Sequence, residues 1–365
     1  DEVSYENEKL TIAGYLYSEN DAKNQPIQQN LTIEQKQILA NTGNNTDAMF
    51  SESAFLDTYN ENKILYKKVT TGAVENFEYS KIETDELYNV TFTNVGANKG
   101  DYNLDRSIAI GNIFVFAGVN QGNYQPIINL IAPTKSQFFI VKSDYNPTEK
   151  TQFNSEIALS NNDANLFSTI DDNQNKALAA KVGWQQVLID KKWQLKSNIN
   201  YEFAHKNFRT IQRWETVEFN RDWNILTNNA TKNYFQSEIR LQNKKDNFVL
   251  YRFNNLNYTD KFKGTKHELK SKLKLNNTAV FVDGNFLENT SRLEDNSFFR
   301  ARAKAEQSLK NSWIGAFVNF ETNSRKNIDT QNFVTTSHRF KEYEGYFGVG
   351  DSTKIFAKIG INYRN

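Results

Sequence analysis

The chain has 365 residues, a net charge of +1 and no cysteine, which excludes disulfide scaffolds, thiolate metal sites and cysteine nucleophiles. Mean hydropathy is −0.71, yet 27 Phe, 17 Tyr and 5 Trp are too many bulky rings for a disordered chain and favour sheet. No apolar run is long enough for a membrane-spanning helix, which leaves open a membrane β-barrel, whose alternating strands escape a hydropathy scan.

The chain opens at DEVSYENEKL without the charged and apolar regions of a signal peptide, as expected of mature material or a piece of something longer. Residues 1–150 carry 12 Lys and Arg against 20 Asp and Glu, and the remainder 32 against 23. All four prolines (Pro26, Pro126, Pro133, Pro147) precede residue 150, and all five Trp and three His follow it. Proline is confined to sheet edges and turns, so its absence afterwards suits long strand pairing, and a domain boundary is expected near Pro147.

In the acidic first part, Thr32 and Gln35 in LTIEQKQILANTG have capping-box spacing, with Gly43 as a C-terminal stop; this predicts one short helix. Around it, TIAGYLYS, KILYKKV, LYNVTFTNV, NIFVFAG and SQFFIVKS read as strands separated by turns. A G-x-N-x-G-x-Y pattern occurs twice, 22 residues apart: Gly96, Asn98, Gly100 and Tyr102 recur as Gly118, Asn120, Gly122 and Tyr124. A phosphate cradle needs a following helix, and here strand-like segments follow. The repeats are therefore read as matching turns of a duplicated β-unit, loops able to touch a partner.

The second part alternates. WQLKSNINYEF sets Trp193, Leu195, Ile199, Tyr201 and Phe203 against a polar face, and ELKSKLKL, FFRARAKAEQ and KIFAKIGINY do likewise. The runs are about nine to twelve residues long, the length a tilted strand needs to cross a bilayer, whereas soluble strands are commonly nearer five or six. Trp193, Trp214, Trp223, Phe299 and Trp313 are expected near strand ends as an interfacial girdle. Against a barrel stands the ending GINYRN, which lacks a terminal aromatic, so the C-terminus is expected not to be the native end of a closed barrel.

The expectation is all-β: a long antiparallel meander forming an outer-membrane β-barrel or a section of one over 151–365, after a smaller β-rich domain with one short helix over 1–150. A soluble sandwich at the cell surface is the other reading, since alternation serves both.

The segments ENKILYKK, ELYNVTFTNVGANKGDY, QGNYQPIINLIAPTKSQ, EIALSNNDANLFSTIDDNQNK and TVEFNRDWN resemble a mostly uncharacterised group of flavobacterial (Bacteroidota) outer-membrane and cell-surface proteins, over about residues 60–225. The resemblance implies a β-rich envelope protein and transfers no catalytic residue.

Candidate chemistry is sparse. Asp171, Asn173 and Asn175 keep the alternating oxygen spacing of a calcium loop, but Lys176 stands where that loop wants Gly and no closing Glu follows; a hairpin tip is the plainer reading, and calcium is the one cofactor considered. His205, His267 and His338 lack metal-ligand spacing, and no G-x-S-x-G elbow is present. Paired carboxylates of a glycosidase are not recognisable without a fold, and a non-enzymatic protein is expected. The basic stripes Lys270, Lys272, Lys274 and Arg300, Arg302, Lys304 alternate with apolar residues in a chain of nearly balanced charge, which argues against nucleic acid. They are read as lumen-facing and suited to anionic solutes. N-x-Ser/Thr triplets such as those at Asn30, Asn89 and Asn257 follow from composition alone. The expected role is a structural or transport component of a bacterial outer-membrane complex for secretion, gliding or outer-membrane assembly, touching membrane lipid and envelope proteins. The alternative is a soluble surface module that binds a glycan or protein.

Overall fold

The computed structural model describes residues 2–23, 29–211, 213–225, 230–350 and 356–365; Pro26, Lys354 and Ile355, used above, lie outside them. The chain is all-β and divides into two compact units. One comprises Asp1–Tyr17, Gln137–Asn161 and Lys176–Asn365; the other comprises Ser18–Ser136 and Asn162–Asn175. The boundary expected near Pro147 is displaced, because Pro147 lies inside a strand of the first unit. Residues up to Tyr17 also belong to the meander, so the acidic β-rich part is an insertion between two of its strands.

The first unit is an antiparallel meander of fourteen strands: β1 (Glu2–Glu6), β2 (Leu10–Asn20), β3 (Lys135–Thr148), β4 (Thr151–Asp163), β5 (Lys176–Asp190), β6 (Trp193–Ala204), β7 (Lys232–Asn243), β8 (Phe248–Tyr258), β9 (Phe262–Leu275), β10 (Thr278–Ser291), β11 (Glu294–Ser308), β12 (Ser312–Asn327), β13 (His338–Gly350) and β14 (Phe356–Arg364). Sheet order follows chain order, and the sheet is open between β1 and β14. From β4 to β13 the strands run well beyond the five or six residues common in soluble sheets.

The two ends of this sheet differ. At one end the connections are the short 7–9, 149–150, 191–192, 244–247, 276–277 and 309–311; at the other lie 21–134, 164–175, 205–231 and 328–337, along with the short 259–261 and 292–293. Asp246 and Asn276 take positive φ (61° and 53°) in two of the short turns, the conformation Asp and Asn tolerate best after glycine.

Strand register assigns every side chain to one of two faces. One carries the row Ile239, Tyr251, Leu269, Gly284, Ala301 and Phe320 across six strands. Leu241, Val249, Val282, Ala303 and Val318 lie on the same face. It is not a core: Ile157, Leu159, Ile239, Leu269, Phe347 and Ile361 are all exposed, Ile361 to 81%. An apolar face of this extent is far beyond what a soluble monomer ordinarily leaves in water. Phe253, His267, Phe286 and Phe299 form an aromatic row toward the end with the long connections. Asn255, Thr265, Glu288 and Ser297 make the next, polar row.

The second unit holds α1 (Ile33–Thr42), small sheets and two cores. Thr32 and Gln35 form the expected capping box. Leu39 of α1 packs with Met49, Leu130 and Ala132. The helix end is closed by the 162–175 segment: Asn165 donates through Nδ2 to the carbonyls of Leu39 and Gly43 at 2.7 and 2.6 Å, satisfying acceptors a helix end leaves open. The other core is aromatic, with Phe92 stacked on Phe114 at 4.7 Å and tilted against Tyr66 and Tyr102 at 5.1 and 4.7 Å.

Candidate functional site

The opposite face of the meander is ionic and partly buried. Register aligns Arg252, Glu268, Asn285, Arg300 and Glu321 in one row, and Lys270, Asp283, Arg302, Asn319 and Glu342 in the next. Arg252 donates to Glu238 at 2.6 and 2.9 Å and to Glu268 at 3.4 Å. Arg325 donates to Glu294 at 2.8 Å through Nε and pairs with it through Nη2 at 2.6 Å. Gln236, Tyr234 and Asn254 join the network through the Asn254 amide oxygen at 2.9 Å. Planar guanidinium on carboxylate is the strong form of such pairing, which lets this many charges share a half-dry surface.

The described residues of the connection 205–231 fold onto this face, where alternation fails because none of them forms a strand. Its short helix α2 (Phe219–Trp223) ends with Asn224 in the left-handed conformation. Trp223 and Ile225 pack with Leu256, Tyr258, Phe262 and Leu287 in the most apolar part of the polar face. Asn289 fixes the segment by donating to the Trp223 carbonyl at 2.8 Å.

Lys232, at the start of β7, is buried. Its ammonium lies 3.0 Å from Glu202 on β6 and 2.9 Å from Glu215 on the inward segment. The rings of Trp214, Phe219 and Tyr234 stand 5.0–5.5 Å from the same nitrogen. A buried ammonium needs this compensation from carboxylates and ring faces, so Lys232 ties the segment to the sheet. Tyr258 also donates to Glu215, at 3.2 Å. Beside it is a recess of about 400 Å³ lined by Trp214, Glu215, Trp223, Arg252, Lys266 and Glu268 among others.

Of the expected girdle, Trp193 and Phe299 lie on the apolar face. Trp214 and Trp223 belong to the inward segment, and Trp313 shares the polar face with Gly315 and Phe317, packed over Gly348. These three are not girdle residues. The signal for Trp313 was its phase: Ile314, Ala316, Val318 and Phe320 alternate out of step with it.

All six basic residues predicted to share a face do so, but their surroundings differ. Lys272 pairs with Asp246 and Lys304 with Glu306 at 3.1 Å. Among the described residues, Asp283 is the one carboxylate within ion-pair range of Arg300 and Arg302, at 3.9 and 4.0 Å. Lys274 donates its backbone N–H to Asn247 at 2.6 Å.

The candidate calcium residues are otherwise engaged. Asp171 accepts the Asn44 backbone N–H at 2.8 Å, and a Cβ on Gly43 would stand 2.3 Å from the Asp171 carboxylate. Asn175 donates to Asp172 at 3.0 Å, and Asn173 is exposed. The segment is a cap for α1 in its packing. Among the described residues no three His, Asp or Glu side chains are grouped as metal ligands. His267 shares a hydrogen bond with Tyr251 at 2.7 Å and His338 with Glu321 at 2.9 Å.

The duplicated turns form a local two-fold arrangement. Gly100 and Gly122 exchange N–H···O bonds of 3.0 and 2.7 Å; Val95 donates to Asn123 and Ala117 to Asp101; Asp101 donates to Tyr124 and Asn123 to Tyr102. The side chains obey the same symmetry, Asn98 N–H donating to Asn123 Oδ1 and Asn120 N–H to Asp101 Oδ1. Asn98 and Asn120 take φ of 55° and 54°. Tyr102 is buried in the aromatic core. The same unit has a cleft of about 1050 Å³ lined by Lys68, Phe77, Tyr88 and Lys99 among others.

No helix among the described residues is long and apolar enough to cross a membrane, which says nothing of strands. No protein-family model matches the chain, and no curated protein matches it in sequence.

Proposed function

We propose that the fourteen-strand sheet is the wall, or part of the wall, of a bacterial outer-membrane β-barrel with a structural or transport role in an envelope complex. In this reading the apolar face meets lipid and the ionic face lines an aqueous lumen narrowed by the inward segment 205–231. The observation that carries it is the division of one sheet into an exposed apolar face and an ion-paired opposite face along strands long enough to cross a bilayer. Short turns at one end and long connections at the other are the usual asymmetry of such barrels, whose long loops face outward. In an antiparallel meander of even strand number the first and last strands run oppositely, so β1 and β14 have the sense needed to pair with each other or with further strands. The role is non-enzymatic, with membrane lipid and envelope proteins as partners and no nucleic acid.

The inserted unit then emerges from the outward end, and its cleft makes it the part suited to a glycan or protein partner. Partitioning tests the reading. The chain is expected to need detergent or lipid to stay monodisperse and to shift its gel mobility on heating; solubility without detergent and unshifted mobility would overturn it.

A further inference from the structure

Arginines on the ionic face fall into two classes. Arg252 and Arg325 are clamped by carboxylates at hydrogen-bond distance. Arg300 and Arg302, two residues apart on β11, make no side-chain hydrogen bond among the described residues, and Asp283 is the one carboxylate within ion-pair range of both, at 3.9 and 4.0 Å. Lys270 stands across from Asp283 in register and is exposed, which puts a third cation on the same face.

The nearby carboxylates are held elsewhere. Glu321, opposite Arg300, accepts from His338 at 2.9 Å. Glu342, one strand beyond Arg302 and Asn319, accepts from Asn319 and Asn362 at 3.2 and 3.0 Å. Several inner polar atoms of the patch also lack a partner: Nε of Arg300 and Arg302 and the side-chain oxygens of Asn285, Asn319 and Asn323. Those inner atoms are enclosed, but the Arg300 and Arg302 side chains are 29% and 40% exposed and among the described residues no carboxylate holds them at hydrogen-bond distance, so their outer N–H donors are open to a solute.

We infer that Arg300, Arg302 and Lys270 form an anion-binding subsite on the ionic face, taking the phosphate group of a solute. Two guanidinium groups on one strand present paired N–H donors to a tetrahedral oxyanion, and Lys270 adds a point charge from two strands away. As a solute site in a lumen this rests on the barrel reading; as an anion site it does not.

The test is calorimetric titration of the full chain in detergent at low salt with inorganic phosphate, glucose 6-phosphate and glucose. Saturable binding of both phosphates is expected, with none for glucose. Arg300→Gln with Arg302→Gln is expected to weaken it by about tenfold or more, while Lys272→Gln, at a lysine already paired with Asp246, leaves it unchanged. Should the double variant misfold by circular dichroism, Arg300→Lys serves instead, keeping the charge and losing the fork. Absence of saturable binding by the wild-type chain, or equal affinity in the arginine variants, overturns the subsite. Phosphate binding by a chain that needs no detergent and shows no heat-modifiable mobility upholds the subsite and removes the lumen.

Discussion

Glu215 and Lys232 are 2.9 Å apart, the one on a connection that leaves the meander and the other at the start of the next strand. The pair closes a loop of chain over the polar sheet face. Removing one partner leaves a buried charge under-compensated, so Glu215→Gln is expected to cost about 1.5–3 kcal/mol. It should also make the 205–225 segment the first site of proteolytic cleavage, as read by limited digestion and mass spectrometry. Cleavage confined to other loops would remove the anchoring role.

Trp223 fills the other attachment point. Truncating a buried Trp costs about 3–5 kcal/mol, and Trp223→Ala is expected to lower the unfolding midpoint of the sheet unit by far more than Trp193→Ala, whose ring lies on the exposed apolar face. Denaturant titration with circular dichroism makes the comparison; equal losses would place Trp223 outside the core.

Gly100 and Gly122 cannot carry a side chain. A Cβ at either would lie 2.3–2.6 Å from the backbone of the tyrosine facing it, Tyr124 or Tyr102. Gly100→Ala and Gly122→Ala are therefore expected to destabilise the inserted unit by similar amounts, each more than about 2 kcal/mol. One tolerated and one disruptive substitution would break the two-fold equivalence.

Two phenols in the inserted unit give it an alkaline limit. Burial pushes Tyr66 and Tyr102 up from 10.0 to about 12, although each accepts a backbone N–H bond, from Phe114 and Phe77, that favours the phenolate. Their folded-state values are raised, so the stability they contribute is complete below about pH 10 and is lost as pH climbs through about 12. Phenolate absorbance should place these two among the late-titrating tyrosines, absent from that group in Tyr66→Phe and Tyr102→Phe variants, with loss of the unit's signal in that window. Ionisation of both near pH 10 would contradict their burial.

Much of the meander was legible in sequence because a half-exposed strand must alternate: Trp193 to Phe203, Leu269 to Leu275 and Phe299 to Ala305 each kept their face. The six basic residues were legible for the same reason. The 205–231 segment was not, because its aromatics pack at irregular spacing against a surface built by β7 to β11. The 22-residue repeat was visible, but not its two-fold cross-pairing, since symmetry between turns depends on which backbone groups meet. TIAGYLYS was visible as a strand, but its place in the meander was hidden because β3, its partner in the sheet, follows only after the inserted unit.

The central claim is that one face of the meander meets lipid and the other water. With no native cysteine, adjacent single-cysteine variants on β11, Ala303→Cys and Lys304→Cys, can carry a fluorophore on opposite faces. After folding into vesicles, a lipid-borne quencher is expected to act on the label at position 303 and aqueous iodide on the label at 304. Ready iodide quenching at both positions, with no response to the lipid quencher, would contradict the account.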